Sequence, residues 1–275
     1  MQPFDLETLG VSTDSGVFGA GSASQAILGL SGLRGPLWGE APDDYPEFAF
    51  LDRAYDEGYR VMDTAAIYGL GASEKTLGRW MQLRRNREQI AVISKGGHPP
   101  LLRPGRHRLT AECLDQDLRA SLRRLRTDYI DLYLLHRDGQ GCDVPAVMQY
   151  LHEQRQRGTI RAIGASNWVH ARVQEANVVA RQGGLAEFSV SSPQLSLLSW
   201  VSAPWRGCVS VSGSEGAAAR DWYRAAGLPL LAWSPFGGGL RETPVRGGRR
   251  QASATSIATT RHAWRVPRSS HASAA

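Results

Sequence analysis

The sequence predicts an α/β protein with a parallel sheet, and two observations lead to that fold class. Short apolar runs of strand length alternate with segments of helical periodicity from residue 46 to residue 240. Polar residues directly follow several of these runs, at the strand end where parallel α/β folds place their functional groups. The alternation by itself leaves two architectures open, a doubly wound open sheet and a closed eight-stranded barrel.

The elements alternate in a regular order along the chain. The predicted strands are 59–62, 90–94, 129–135, 160–164, 188–190 and 230–233, with a weakly visible first strand near 27–30. Apolar stripes mark helices at 48–55, 77–81, 114–125 and 147–151, and two more helices are predicted at 169–181 and 216–226. Ser73 and Thr110 are the predicted N-caps of the second and third helices.

The charge of the chain is unevenly distributed. Its 275 residues include 32 Lys+Arg and 26 Asp+Glu, a formal net charge of +6, and the only lysines are Lys75 and Lys95. Seven basic residues and one acidic residue lie in 241–275, which leaves 25 of each sign in residues 1–240. Because the body of the chain is neutral, the composition argues against a broad nucleic-acid groove.

Other features exclude several further classes of protein. No apolar run approaches the roughly 18 residues of a membrane span, and the first residues lack a secretory signal. The three cysteines, Cys113, Cys142 and Cys208, are far apart and have no metal-ligand spacing. We therefore expect a cytoplasmic protein with no membrane partner, no disulfide framework and no bound metal.

Four residues near the ends of consecutive predicted strands form a plausible proton-transfer set. They are Asp63, Tyr68 in the loop that follows, Lys95 and His136. A lysine ammonium beside a phenol stabilises the phenolate, and a carboxylate keeps that ammonium charged. A histidine can orient a substrate carbonyl. Proton donation to a carbonyl oxygen also requires a hydride donor, which no side chain supplies, so a nicotinamide cofactor is expected.

Several strings of the sequence closely resemble the aldo-keto reductases. They are Gly58–Gly69 (GYRVMDTAAIYG), Ser73-Glu74, Ser94-Lys95, Tyr129–His136 (YIDLYLLH), Ile163–Trp168 (IGASNW) and Trp233–Gly237 (WSPFG). The resemblance runs from about residue 46 to residue 240. It implies a (β/α)8 TIM barrel that binds NADP(H), with NAD(H) as the alternative, and a small carbonyl substrate.

The same resemblance implies roles for individual residues. Asp63, Tyr68, Lys95 and His136 match the catalytic tetrad of the family, with Tyr68 as general acid. The residues that match its cofactor-binding positions are Ser166, Asn167, Gln194, Trp233, Ser234, Pro235, Phe236 and Gly238. Trp233 could instead serve barrel packing. Trp38 and Trp168 could line a substrate pocket or pack in the core.

The two ends of the chain depart from the family pattern. Residues 1–45 are irregular apart from the weak first strand, and residues 241–275 are rich in Arg, Ser and Ala without any strand or helix period. We expect the tail to be disordered and the barrel to be incomplete at its C-terminal end. A frameshift or a misplaced gene end is the hypothesis for this tail, and marginal stability with a weakened grip on the adenosine half of the cofactor is the expected consequence.

These observations favour an NADP-dependent reductase that converts an aldehyde or a ketone to an alcohol. The alternative is a truncated, catalytically impaired relative with a cofactor-binding role or none. Nucleic-acid binding through the tail is disfavoured, because the tail has few aromatic residues among its arginines.

Overall fold

A computed structural model describes residues 27–36, 39–102, 106–139, 141–197, 199–200, 203–235 and 264–265. Six parallel strands form one sheet in the order in which they occur along the chain. They are β1 (Leu28–Gly29), β2 (Val61–Asp63), β3 (Ala91–Gly96), β4 (Ile130–Leu135), β5 (Ile160–Ser166) and β6 (Val190–Ser192). Two short segments, β7 (Ser199–Trp200) and β8 (Trp264–Arg265), pair antiparallel with each other.

Helices alternate with the strands of the parallel sheet. They are α1 (Pro46–Asp56), α2 (Ala72–Arg84), α3 (Ala111–Leu125), α4 (Val144–Gln156), α5 (His170–Gln182) and α6 (Ala217–Ala226). The sheet curls into a partial (β/α)8 barrel, which confirms the predicted fold class. Sequential order of neighbouring strands is the arrangement that right-handed crossovers through each helix produce.

Both faces of the sheet are buried, as in other parallel sheets. One cluster contains Val61, Ile93, Leu132, Leu134 and Val190, whose side chains alternate along the strands with those of the other face. The larger cluster packs the opposite face against the helices. Alternate residues of β3 and β4 serve the two clusters, and the one charged residue near the start of these strands, Asp131, is buried and paired with Arg87 and Arg161.

The predicted caps had different outcomes. Thr110 caps α3, since its hydroxyl accepts a hydrogen bond from the Cys113 amide at 3.2 Å. The prediction for Ser73 was wrong, because α2 begins after Gly71 and Ser73 lies inside its first turn. The Ser73 hydroxyl is instead buried, 2.8 Å from the Thr64 hydroxyl, and donates to the Leu30 carbonyl oxygen at 3.0 Å. Ser73 therefore ties α2 to the loops after β1 and β2.

Two strand predictions were also imprecise. The strand expected at 188–190 lies at Val190–Ser192, because Phe188 turns into the core beside Trp168, with 5.7 Å between the ring centroids. The segment 230–233 makes isolated parallel bridges at Leu230 and Trp233 beside β6 rather than a regular strand.

Of the two tryptophans that could line a substrate pocket or pack in the core, Trp168 is fully buried and so serves packing. Some parts of the sequence predictions fall outside the described residues. Among them are residues 1–26, Trp38, and the tail apart from 264–265.

Candidate functional site

The four residues of the predicted tetrad come together at the carboxyl ends of three adjacent strands. Asp63 is the last residue of β2, Lys95 lies near the end of β3, and His136 directly follows β4. Tyr68 lies in a one-turn 3₁₀ helix, Tyr68–Gly71, between β2 and α2. Since β2, β3 and β4 are neighbours in parallel register, their ends meet at one edge of the sheet.

Lys95 makes the central contacts of this site. Its ammonium Nζ donates to Asp63 Oδ1 at 2.5 Å, to the Thr64 carbonyl oxygen at 2.9 Å and to the Tyr68 hydroxyl at 3.2 Å. These three bonds use all the donors of an ammonium group. Burial would lower the pKa of Lys95, but the charges of Asp63 and Tyr68 raise it above its ordinary value. The group is therefore a permanent cation in a nearly water-free position.

Tyr68 keeps its proton at neutral pH. Burial raises the pKa of its phenol above the ordinary value of 10.0, although Lys95 acts in the opposite direction. Desolvation of the phenol outweighs the effect of the adjacent ammonium, which by itself would lower this pKa. A protonated phenol whose conjugate base has a cation 3.2 Å away is suited to donating that proton.

His136 is held as a neutral imidazole beside the phenol. Its ring meets the Tyr68 ring edge-on, with 6.0 Å between centroids, and its amide donates to the Gly96 carbonyl oxygen at 2.8 Å. Burial and the nearby charge of Lys95 lower its pKa well below 6.5. Its Nδ1 is buried without a hydrogen-bond partner in the described part of the chain. A neutral ring can donate one hydrogen bond to a carbonyl oxygen without competing as an acid.

His98 is a residue of this site that the sequence analysis missed. Its ring lies edge-on to that of His136 at a centroid distance of 5.0 Å, and its Nδ1 is 2.7 Å from the Pro99 carbonyl oxygen. Burial lowers the pKa of His98 as well. Its position three residues after Lys95, beyond two glycines, was the available sequence signal.

A second group of predicted residues lies at the ends of β5 and β6. The Ser166 hydroxyl donates to the Ser192 carbonyl oxygen at 3.2 Å, and Asn167 Nδ2 donates to the Ser166 hydroxyl at 3.1 Å. Asn167 has a left-handed backbone with φ of 56°. Non-glycine residues adopt this conformation rarely, and asparagine does so more readily than most. The left-handed turn after β5 is therefore a position that suits an asparagine.

Gln194 lies just beyond β6 and has an unusual hydrogen-bond balance. Its Oε1 accepts from the hydroxyls of Ser210 at 2.5 Å and Ser212 at 2.8 Å. Its Nε2 is completely buried and has no partner among the described residues. A buried amide N–H without an acceptor is costly, so this group fits a ligand that brings an acceptor oxygen, such as a carboxamide.

The remaining predicted cofactor residues are only partly described. Trp233 stacks on Trp205, with centroids 5.6 Å apart and ring planes 14° apart, and the Arg137 guanidinium lies 5.1 Å from the Trp205 centroid. Trp205 and Arg137 were not predicted as members of the site. Ser234 has a φ of 50° and is followed by an exposed Pro235. Phe236 and Gly238 lie outside the described residues.

In the described part of the chain, none of the helices has the length and apolar character that crossing a bilayer requires. Within the same residues, no three His, Cys, Asp or Glu side chains are grouped so that they could hold a metal ion.

Comparison with known proteins gives consistent matches. The model of the aldo/keto reductase family matches residues 27–263. This match reaches beyond residues 46–240 at both ends. The chain is 35% identical to norsolorinic acid reductase stcV of Emericella nidulans over 57% of this chain and 43% of that protein. It is 28% identical to the uncharacterized oxidoreductase YrpG of Bacillus subtilis over 78% of this chain and 66% of that protein.

A solved structure has a similar fold. The thermostable aldo-keto reductase Tm1743, crystallised with the inhibitor epalrestat, superposes with a TM-score of 0.61 at 25% identity, over 78% of this chain and 70% of that one. The chain spans less than half the length of norsolorinic acid reductase stcV. Because the family model covers most of the sequence and the tetrad positions come together in space, the chain belongs to the aldo/keto reductase family.

Proposed function

We propose that this chain reduces an aldehyde or a ketone to the alcohol, with NADP(H) as cofactor and NAD(H) as the alternative. The observation that carries the proposal is the Lys95 ammonium, which bonds both Asp63 and the Tyr68 hydroxyl beside a neutral His136. Membership of the aldo/keto reductase family and the similarity to named reductases support carbonyl reduction in general.

The residues at the ends of β5 and β6 are the proposed cofactor site. Ser166, Asn167 and Gln194 would hold the carboxamide of the nicotinamide, and the free Nε2 of Gln194 is the feature that fits such a group. Trp233, Ser234 and Pro235, with Phe236 and Gly238, are proposed as further cofactor contacts. When bound, the nicotinamide cofactor supplies the hydride that no protein group can provide.

Tyr68 is the proposed proton donor. Its phenol transfers the proton to the carbonyl oxygen, which becomes the hydroxyl of the alcohol. The ammonium of Lys95 stabilises the phenolate that remains, and Asp63 keeps Lys95 charged and in place. His136 donates a hydrogen bond to the same carbonyl oxygen and so orients the substrate next to Tyr68.

The proposal extends to partners and location. A small carbonyl compound is the proposed substrate, and neither a nucleic acid nor a membrane is proposed as a partner. A cytoplasmic location is proposed on the composition of the chain.

The test compares Tyr68→Phe with the unchanged chain. NADPH consumption is followed with a panel of aromatic and aliphatic aldehydes and ketones. Removing a positioned general acid should lower kcat by about 10²- to 10⁴-fold while NADPH still binds. Tyr59→Phe is the matched control, because its hydroxyl has no described hydrogen bond, and it should retain full activity. Full activity in Tyr68→Phe would refute the mechanism, and NADPH binding without any turnover in the unchanged chain would favour the impaired-relative alternative.

A further inference from the structure

A cavity of about 700 Å³ lies outside the tetrad, bounded by the loop after β1 and by residues of α2 and α3. Its charged lining residues are Glu40, Lys75, Arg79, Arg123, Arg124 and Arg126, and we call it the basic hollow. Its volume is within the roughly 300–1,000 Å³ that is usual for small-molecule sites. Five cations and one carboxylate are among its described lining residues, although residues 1–240 as a whole carry no net charge.

Two of these cations have no carboxylate partner among the described residues. Three of the five have carboxylate partners, which are Asp43 for Arg79 at 2.6 Å, Glu74 for Arg124 at 2.6 Å, and Glu40 for Arg126. The side chains of Lys75 and Arg123 make no ion pair and no hydrogen bond within the described ranges of the chain. Lys75 projects from α2 and Arg123 from α3, so uncompensated charge enters the same cavity from two helices.

The paired arginines still have donors to offer. Arg79 uses its two terminal nitrogens for Asp43 and Gln82, and its Nε is buried without a partner among the described residues. Arg124 uses Nε and one terminal nitrogen, so its other terminal nitrogen makes no described bond. Because a guanidinium carries five N–H donors in a fixed fork, such groups suit the several oxygens of one anion.

The hollow is separate from the proposed cofactor residues but adjoins the loop that holds the catalytic tyrosine. Gly69 and Leu70, which follow Tyr68 directly, form part of its lining, and both have a φ of 56°. Ser166, Asn167 and Gln194 lie at the ends of β5 and β6, which come last in the strand order, whereas the Tyr68 loop follows β2. A ligand in the hollow would therefore contact the Tyr68 turn without occupying the positions of the nicotinamide-binding residues.

We propose that the basic hollow binds a multiply charged phosphate-bearing anion, held chiefly by Lys75 and Arg123. Phosphate oxygens accept several charge-assisted hydrogen bonds at once, which are among the stronger polar contacts in proteins. Glu40, the one carboxylate among the described lining residues, already bonds Arg126 and so does not neutralise Lys75 and Arg123. A phosphate group would supply the negative charge that Lys75 and Arg123 lack among the described residues.

The experiment is calorimetric titration of the full chain with pyrophosphate at low ionic strength. The variant is Lys75→Gln/Arg123→Gln, whose side chains are exposed, so folding is expected to be retained and is checked by circular dichroism. Arg53→Gln/Arg224→Gln is the matched control, because it removes two exposed cations that do not line the hollow.

We expect saturable binding to one site in the unchanged chain and in the control. Each lost charge-assisted bond weakens binding by about tenfold or more, so the double variant should bind at least about a hundredfold more weakly. Absence of saturable binding in the unchanged chain would overturn the proposal. Equal affinity in the double variant would also overturn it, since the anion would then bind elsewhere, for example at the cofactor residues.

Discussion

Replacing Lys95 by Met removes the charge on which the proposed mechanism depends. Methionine has a similar length and is apolar, so it suits a side chain that is only 4% exposed. The variant leaves the Tyr68 phenol buried, with no cation beside the phenolate that forms when the proton leaves. We therefore expect carbonyl reduction to slow sharply while the phenol itself remains in place.

The size of the effect follows from the geometry. An ammonium 3.2 Å from a phenolate oxygen stabilises it by about 5 kcal/mol at an effective dielectric constant of about 20. Asp63 opposes part of this, and the phenol oxygen carries only part of the charge in the transition state. About 2–4 kcal/mol should remain, which corresponds to a decrease of roughly 30- to 1,000-fold in kcat/KM.

The assay is steady-state reduction of a reactive aldehyde, with NADPH affinity measured separately by fluorescence. Arg53→Met is the control, because it also exchanges a cation for methionine, at an exposed position of α1 that belongs neither to the tetrad nor to the basic hollow. Lys95→Arg should not restore activity, because a planar guanidinium cannot reproduce a compact ammonium between Asp63 and Tyr68. A folded Lys95→Met variant with kcat/KM within threefold of the unchanged chain would refute this reasoning.

Three further predictions concern packing, pH and the cofactor. Gly78→Ala should lower the free energy of unfolding by about 1–3 kcal/mol in urea titrations despite the helix preference for alanine, since the added Cβ would lie 2.4 Å from the Arg124 carbonyl oxygen. Gly32→Ala, which meets nothing within 4 Å, should be nearly neutral, and equal losses would contradict the packing argument. Because the fold lowers the pKa of His136, the unfolded chain takes up its proton first as the pH falls below about 6.5. The free energy of unfolding should then drop by up to about 1.4 kcal/mol per pH unit, and thermal melts of His136→Gln should show a shallower pH dependence. Gln194→Met should raise the Kd for NADPH about tenfold, because it removes one buried donor. An unchanged Kd in fluorescence titration would remove Gln194 from the cofactor site.

Local patterns in the sequence were sufficient for most of the regular structure. The stripes that predict α3 and α4 are strongly periodic, and both helices lie where expected. The exceptions arise where long-range contacts compete with local preference. Ser73 has the chemistry of a cap, but the Thr64 hydroxyl and the Leu30 carbonyl oxygen bind its hydroxyl inside the barrel wall.

For the tetrad, the sequence likewise predicts which residues come together but not how their surroundings shift their pKa values. The identity and order of Asp63, Tyr68, Lys95 and His136 could be recognised from motifs at strand ends. The sign of the Tyr68 pKa shift could not, because it depends on how deeply the loop buries the phenol against the ammonium. Sequence reasoning includes the charged neighbour but not the desolvation that outweighs it.

Residues that join the site through contacts between rings were not predicted from the sequence. His98 contacts His136, and its position shortly after Lys95 was the one local signal for it, whereas nothing in the local sequence marks Trp205, which stacks on Trp233. The basic hollow likewise brings together Lys75 of α2 and Arg123 of α3, an arrangement that no local pattern within either helix predicts. Motifs and periodicity are local, so they are sufficient to name the family pattern, the strand order and the side chains of the predicted tetrad. Burial, ring contacts and shared cavities depend on residues distant in sequence, and therefore only the folded arrangement determines the protonation states and the neighbours of those side chains.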